Sequence, residues 1–383
     1  CAPTLCIYDD HFAEAAKALN RITALHHSAL LTDAPDHGPT GATTADALLI
    51  VYTSGSTGTP KGAVLAQKAL IANAKMAIHA HDLTTEDNVL NVLPMFHVGG
   101  LNILPTPAFS IGATVTIHER FDPDAALTAL TGTTLAIMVP TVMKAIMSRP
   151  GWATADFSRL RGMSIGSTDV PRALINAAHD RGVPMIQIYG ATETSPYAIY
   201  QTLEEAEATA GSLGRVGIAC QARLVQPDGT EAPIGEPGEI WIKGDNILTE
   251  YWNNPAETAR AITDGWFHSG DVATLDENGL YWFTDRIKHV IISGGENIYP
   301  AELERILNAL PNVTEAAVVG RPDPKWGEMP VAVVVGNTTR EDILNAFQGT
   351  LARYKHPRDV VFAEALPRNA MGKIVAAEVR KLV

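Results

Sequence analysis

The sequence is poor in positive charge: 29 Lys+Arg stand against 42 Asp+Glu over 383 residues, a formal net charge of -13. A nucleic-acid binder needs a basic surface to displace counterions from phosphates, so that class is excluded. Cysteine is scarce as well. Cys1, Cys6 and Cys220 form no Cys-x-x-Cys pair and leave an odd count, which argues against a disulfide framework and for a reduced, cytoplasmic compartment. No apolar run approaches the roughly 18 residues that span a bilayer, and no charged-then-apolar leader is present. Internal repeats and low-complexity tracts are also lacking, which argues against a repeat architecture. What is there is ordinary globular composition, 46% hydrophobic and 19% charged, in a chain too long for one typical core. Two or more domains are expected.

The charge is unevenly placed. From His289 to the end there are 11 Lys+Arg and 11 Asp+Glu, so the first 288 residues carry all -13. The neutral tail holds a local basic run, Arg353, Lys355 and Arg358, around Tyr354 and His356. The chain begins at Cys1, already inside a strand-like stretch at 4–8, and the expectation is a missing N-terminal piece.

Apolar runs at 47–52, 89–94, 113–117, 135–139 and 184–188 are bounded by Gly, Pro, Asp or Thr. Helical-period segments at 68–79, 123–131, 141–147 and 171–180 lie between them. Strands interleaved with helices predict an α/β sheet with crossover connections. After about residue 211 the pattern changes to strands at 216–226, 238–243 and 279–285, split by Pro-Asp-Gly and Asn-Gly turns, which predicts a small antiparallel β region. From Pro300 onward, a helix at 301–310, strands at 315–320 and 331–335, a helix at 340–353 and a strand at 359–362 predict an α+β tail domain. The expected boundary is 286–289, where charged residues separate two apolar strands.

Thr53-Ser54-Gly55-Ser56-Thr57-Gly58-Thr59-Pro60-Lys61-Gly62 follows the strand ending at Tyr52. Its glycines permit close backbone approach, and its hydroxyls, Gly N–H groups and Lys61 make a clamp for a polyphosphate. A flexible linker has no use for the Pro-Lys-Gly end and does not abut a buried strand. The P-loop of the NTPases needs Gly-Lys followed by Ser or Thr; here Lys61 lies between Pro60 and Gly62.

The string YTSGSTGTPKG resembles the phosphate loop of the adenylate-forming superfamily, which holds acyl- and aryl-CoA synthetases, peptide-synthetase adenylation domains and firefly-type luciferases. Further segments carry the resemblance in the right order. Tyr189-Gly190-Ala191-Thr192-Glu193-Thr194 is similar to the motif whose tyrosine lies against adenine, whose threonine contacts the AMP phosphate and whose glutamate holds Mg²⁺. His268-Ser269-Gly270-Asp271 resembles the ribose motif, and an ionised carboxylate suits a vicinal diol. Asp285-Arg286-Ile287-Lys288 resembles the inter-domain segment, which implies a nucleotide contact for Arg286 and a hinge at Lys288. The string 292–300, around Gly294 and Gly295, resembles the glycine loop that lines the pantetheine tunnel in CoA-forming members. Pro367-Arg368-Asn369-Ala370-Met371-Gly372-Lys373 resembles the adenylation-lysine loop, whose ammonium stabilises charge growing at the α-phosphate. Pro94-Met95-Phe96-His97 resembles the motif beside the acyl pocket. His97 is expected to pack or move rather than act as a base, because a carboxylate has no proton to remove at neutral pH.

The resemblance implies a large domain at 1–287, with a β-rich, barrel-like part at about 211–287, and a small mobile α+β domain at 288–383. It implies ATP/AMP, Mg²⁺ and coenzyme A as cofactors, a small carboxylic acid as substrate, and no membrane span; a homodimer stays open. Trp326 and Tyr354, with the basic residues beside Tyr354, resemble the places that hold the CoA nucleotide, although a buried Trp and a solvated basic turn explain them equally. Glu193 and Thr192 join Lys373 as the implied catalytic set. The acyl pocket is expected near 97–101, 165–167 and 189–195, Gly166 and Gly190 included, where apolar residues predominate and no obvious Arg or Lys could hold a second carboxylate, so a monocarboxylic aliphatic or aryl acid is expected. A CoA-independent adenylating enzyme and an inactive nucleotide-binding relative are the alternatives.

Three departures stand out. The stretch before the phosphate loop is short for the family. Ser164-Ile165-Gly166-Ser167-Thr168 replaces a Gly-Gly-Ala type adenine loop, so Gly166 and Ser167 are expected to face the nucleotide. Glu250-Tyr251-Trp252 replaces Gly-Tyr-Trp, which reads as an altered surface turn.

Overall fold

The computed structural model describes residues 3–19, 22–30, 41–53, 60–166, 170–368 and 374–383. Internal contacts divide the chain into Cys1–Asp46 and Ala47–Val383. In the first unit, strands Leu5–Tyr8 and Thr23–His26 pair in parallel, with the short helix Ala13–Lys17 between them in sequence.

The second unit is built on a seven-stranded sheet. Five strands run parallel in the spatial order Met185–Tyr189, Gly162–Gly166, Leu135–Met138, Asn88–Asn91 and Thr114–Ile117. Ile199–Tyr200 and Arg215–Val216 extend it antiparallel. Parallel neighbours need crossovers, and helices Pro105–Ile111, Pro123–Leu130, Pro140–Met147 and Arg172–His179 supply them. Three of these helices open on proline, whose fixed φ suits the first turn. The strands alternate between two cores, as a period of two requires. Ala136, Met138, Met163 and Met185 pack under Leu127, Leu130, Met143 and Ile175. Leu135, Ile137, Ile186 and Ile188 face Met76, Ala80, Ile103 and Leu104 on the other side.

A polar clamp closes the amino ends of the central strands. Asp87 is buried and takes hydrogen bonds from Arg161 Nη2 at 2.8 Å, Thr134 Oγ1 at 2.6 Å and the Thr84 amide at 2.8 Å. Burial pushes this carboxyl up, but the Arg161, Thr134 and Thr84 hydrogen bonds outweigh it and hold the group below its ordinary value. Nearby, His81 lies fully buried with Nδ1 on the Ala77 carbonyl at 3.0 Å. Burial lowers it to about 4.

Three further sheets follow. Glu250–Tyr251, Lys61–Ala66 and Ala47–Thr53 form an antiparallel trio. Cys220–Val225, Gly238–Gly244, Trp266–Leu275, Ile262–Thr263 and Tyr281–Arg286 form the expected antiparallel β region. In the tail, Glu296–Ile298, Ile291–Ser293, Gly327–Gly336, Val313–Asp323 and Asp359–Phe362 make a mixed sheet, joined by helices Pro300–Asn308 and Arg340–Asn345. No helix among the described residues is long and apolar enough to cross a membrane.

Four expectations need correction. The 47–52 run is half-exposed and pairs antiparallel with Lys61–Ala66, outside the parallel sheet. The 216–226 run breaks at Gly217, where a Cβ would lie 2.4 Å from Met76 Sδ. Val216 therefore edges the seven-stranded sheet, and Cys220–Val225 opens the next. The 340–353 helix stops at Asn345, Phe347 turns into the tail core, and Arg353–Lys355 forms a separate 3-10 turn. In the 250–252 segment, Glu250–Tyr251 is a strand paired with Lys61–Ala66, and only Trp252 lies in a turn.

Candidate active site

The phosphate-loop string is anchored at both ends by an antiparallel pair. Tyr52 stands opposite Gly62 and Thr53 opposite Lys61. A side chain at position 62 would meet Ile50 Cγ2 at 2.8 Å, so glycine is required there by packing. Ser54, Gly55, Ser56, Thr57 and Gly58 lie outside the described residues, as do Ser167 and Lys373. Lys61 is ion-paired with Glu257, and its ammonium sits 5.6 Å from the Tyr251 ring centroid. The Lys61 hydrogen bond holds the Glu257 carboxyl below its ordinary value.

Gly166 and Gly190 lie at the carboxyl ends of neighbouring parallel strands, where open α/β sheets form their ligand crevices. Both glycines answer to packing. A Cβ at Gly166 would stand 2.6 Å from the Ile188 carbonyl oxygen, and one at Gly190 would stand 1.6 Å from that of Pro196. The chain then turns through the 3-10 segment Thr192–Thr194, with Thr192 buried. Thr194 Oγ1 caps this turn, accepting from the Ala191 amide at 2.9 Å. Glu193 is fixed at backbone and side chain. Its carbonyl accepts from the Leu248 amide at 2.8 Å, and Oε1 accepts from the Tyr251 hydroxyl at 2.7 Å.

Asp271 gathers side chains from two other strands, Tyr189 and Arg286. It is buried, and strand pairing places it opposite Arg286. Arg286 Nε lies 3.0 Å from Oδ1, and the Tyr189 hydroxyl donates to Oδ2 at 3.0 Å. Burial and the Asp271 charge push the Tyr189 phenol well above its ordinary value, so it stays a donor. The turn before Asp271 is held by Glu239, whose Oε1 accepts from the Gly270 amide at 2.8 Å while Oε2 accepts from Trp241 Nε1 at 2.8 Å. Lys288 follows in the 3-10 turn Ile287–His289; burial, then the Arg286 charge, lower its ammonium.

In the tail, Gly294 and Gly295 form the turn of the hairpin Ile291–Ser293 and Glu296–Ile298, at φ +64° and +87°. Gly295 has open space where a side chain would begin, whereas a Cβ at Gly294 would stand 2.8 Å from the Trp326 ring. Trp326 is 40% exposed, with Lys325 Nζ 4.8 Å and Arg358 Cζ 5.8 Å from its centroid. Tyr354 is likewise exposed, in the Arg353–Lys355 turn, and no ring contact joins it to Trp326 among the described residues. His97 caps the helix Val98–Asn102, its Nδ1 accepting from the Gly99 amide at 3.0 Å.

The sequence-predicted residues Tyr189, Asp271 and Arg286 thus meet directly. Tyr251, Glu257 and Glu239 were not singled out from the sequence. Tyr251 lay inside a flagged string, but its partner is 58 residues away and nothing local points to it. Among the described residues no cluster of three or more His, Cys, Asp or Glu could hold a metal.

Residues 3–252 match the family model described as AMP-binding enzyme, and residues 302–373 match the AMP-binding enzyme C-terminal domain. The chain is 48% identical to an indoleacetate–CoA ligase of Aromatoleum aromaticum over 88% of this chain and 67% of that protein. It is 41% identical to a feruloyl-CoA synthase of an Amycolatopsis species over 99% of this chain and 79% of that one. Among solved structures, ATP-bound MatB from Rhodopseudomonas palustris superposes with a TM-score of 0.92 at 28% identity, over 99% of this chain and 78% of its own. The o-succinylbenzoate CoA synthetase of Bacillus subtilis, in complex with its acyl-adenylate intermediate, gives 0.86 at 28% identity, over 98% and 78%. The chain belongs to the AMP-binding enzyme family of adenylate-forming enzymes.

Proposed function

We propose that this AMP-forming acid–CoA ligase activates an aromatic monocarboxylic acid, with the residues above in the following roles. The acid's carboxylate oxygen attacks the α-phosphorus of ATP, the bond to pyrophosphate breaks, and an acyl-adenylate forms. The CoA thiol then loses its proton and attacks the acyl carbon. A C–S bond forms, the C–O bond to phosphate breaks, and AMP leaves.

The convergence of Tyr189 and Arg286 on buried Asp271 carries the assignment of a nucleotide corner. Asp271 accepts from the ribose hydroxyls, Arg286 fixes that carboxylate and reaches the nucleotide, and the Tyr189 ring backs the adenine beside Gly166, Ser167 and Gly190. The loop Thr53 to Gly58, with Lys61, cradles the phosphates, and Thr192 contacts the α-phosphate. Glu193 fits a magnesium site: Tyr251 occupies one carboxylate oxygen, and the other is left as a hard donor for a cation that keeps waters and phosphates as its remaining ligands. Magnesium, when bound, offsets phosphate charge. Lys373 stabilises the charge that grows in the attack on the α-phosphate.

Residues 1–287 and 288–383 serve as the large and small domains, turning about Lys288 between the two half-reactions. The 3-10 turn Ile287–His289, set between two separate sheets, supports a hinge there. The Gly295 turn then admits the thiol arm, and Trp326, flanked by Lys325 and Arg358, with Tyr354 nearby in sequence, offers ring and cations to the CoA nucleotide. His97 lines the acyl pocket from the cap of its helix.

The aromatic acid is favoured because the two relatives above are named for indoleacetate and ferulate. A panel of acids with ATP and CoA, read by AMP release and thioester mass, tests it. Turnover of arylacetates or cinnamates is expected; turnover of a short dicarboxylate alone overturns the substrate class. Cell fractionation and light scattering test a cytoplasmic location and a homodimer.

A further inference from the structure

Among the described residues a single donor, the Tyr251 hydroxyl, orients the Glu193 carboxylate. Tyr251 stands opposite Ala63 in the sheet that carries the phosphate loop. Its amide donates to Thr258 Oγ1 at 2.9 Å, and the next amide, of Trp252, donates to the Gly62 carbonyl at 2.7 Å. The ring is buried in the core with Ala63, Leu65 and Tyr189. Backbone and ring are therefore fixed, and the hydroxyl has one place to go, Glu193 Oε1 at 2.7 Å. Oε2 takes no protein hydrogen bond among the described residues. The same segment holds Lys61 through Glu257, so the end of the phosphate loop and the metal carboxylate share one frame.

We propose that Tyr251 is a positioning residue for metal binding: its hydroxyl locks the Glu193 carboxylate so that Oε2 presents one fixed direction to the cation of Mg·ATP. This rests on Glu193 as the metal ligand. The ring takes part in packing and the hydroxyl does not, so Tyr251→Phe separates the two roles and is expected to melt near the native temperature.

The probe is Mn²⁺ titrated into the enzyme–ATP complex, with free metal read by its paramagnetic resonance. Tyr251→Phe is expected to weaken Mn²⁺ binding about three- to tenfold, the size of one typical net hydrogen bond. ATP binding in the presence of EDTA stays within about twofold. In turnover, the half-saturating Mg²⁺ concentration rises more than kcat falls. Glu193→Gln is measured alongside. If Glu193→Gln weakens Mn²⁺ binding and Tyr251→Phe matches the native protein, the positioning role is overturned while the metal ligand stands. Native Mn²⁺ affinity in Glu193→Gln overturns the metal ligand itself, and Tyr251 with it.

Discussion

Asp271 makes its two contacts through different oxygens, Oδ1 to Arg286 and Oδ2 to Tyr189. Each oxygen keeps a further lone pair, so the carboxylate can accept from a diol while it stays oriented. Asp271→Asn breaks that symmetry by turning one acceptor into a donor. We expect kcat/KM for ATP in pyrophosphate exchange to fall about tenfold to a hundredfold, with little change in the acid's KM. A native value would remove Asp271 from the ribose contact. Lys373 is proposed to act at a different moment. Lys373→Ala should slow adenylation about a hundredfold or more, while the same variant, supplied with synthetic acyl-adenylate and CoA, should still make thioester. Equal loss in both half-reactions would contradict a role confined to the α-phosphate.

Element by element, the strands were legible where burial on both faces leaves a continuous apolar run, as at Leu135–Met138 and Met185–Tyr189. Helices Pro123–Leu130 and Pro140–Met147 were legible from their period, whereas Pro105–Ile111, which also opens on proline, was not anticipated. What could not be read was pairing. The run Ala47–Thr53 looks like a parallel-sheet strand, yet it pairs antiparallel with Lys61–Ala66. Gly217, where the run breaks, packs against Met76, far away in sequence. Contacts such as Tyr251 to Glu193 and Lys61 to Glu257 have no local signature at all. Single motif residues were therefore legible, while the groups that hold them in place were not.

The clamp beside the seven-stranded sheet gives its own predictions. Arg161→Ala leaves Asp87 buried with only neutral donors and should cost about 3 kcal/mol of stability, read by urea unfolding. His81 is held down to about 4, so on acidification the unfolded chain takes up its proton first. Stability should therefore be full above about pH 6.5 and decline towards pH 4, by about 3 kcal/mol from His81. Asp87 runs in the same direction at lower pH: its folded value is depressed, so its contribution is present above the ordinary carboxylate range and lost as pH falls through the folded value. His81→Gln should flatten the decline between pH 6.5 and 5; an unchanged slope would assign the proton to another group.

At the scale of the whole molecule, one nucleotide site serves two reactions of opposite electrostatic demand, and Lys288 is the proposed pivot between them. Proline fixes φ and removes the amide donor, so Lys288→Pro should leave pyrophosphate exchange within about threefold while CoA-dependent AMP release falls far more. Equal effects on both would remove the hinge from that position. The two half-reactions can also be watched separately in the native chain. Enzyme in excess over ATP, with a competent acid and no CoA, is quenched in acid and analysed by mass; CoA is then added to a parallel sample. Acyl-AMP should accumulate in the first sample, and in the second it should convert to acyl-CoA and AMP. Appearance of ADP or acyl phosphate, or an acyl-AMP that CoA leaves untouched, would contradict an AMP-forming acid–CoA ligase.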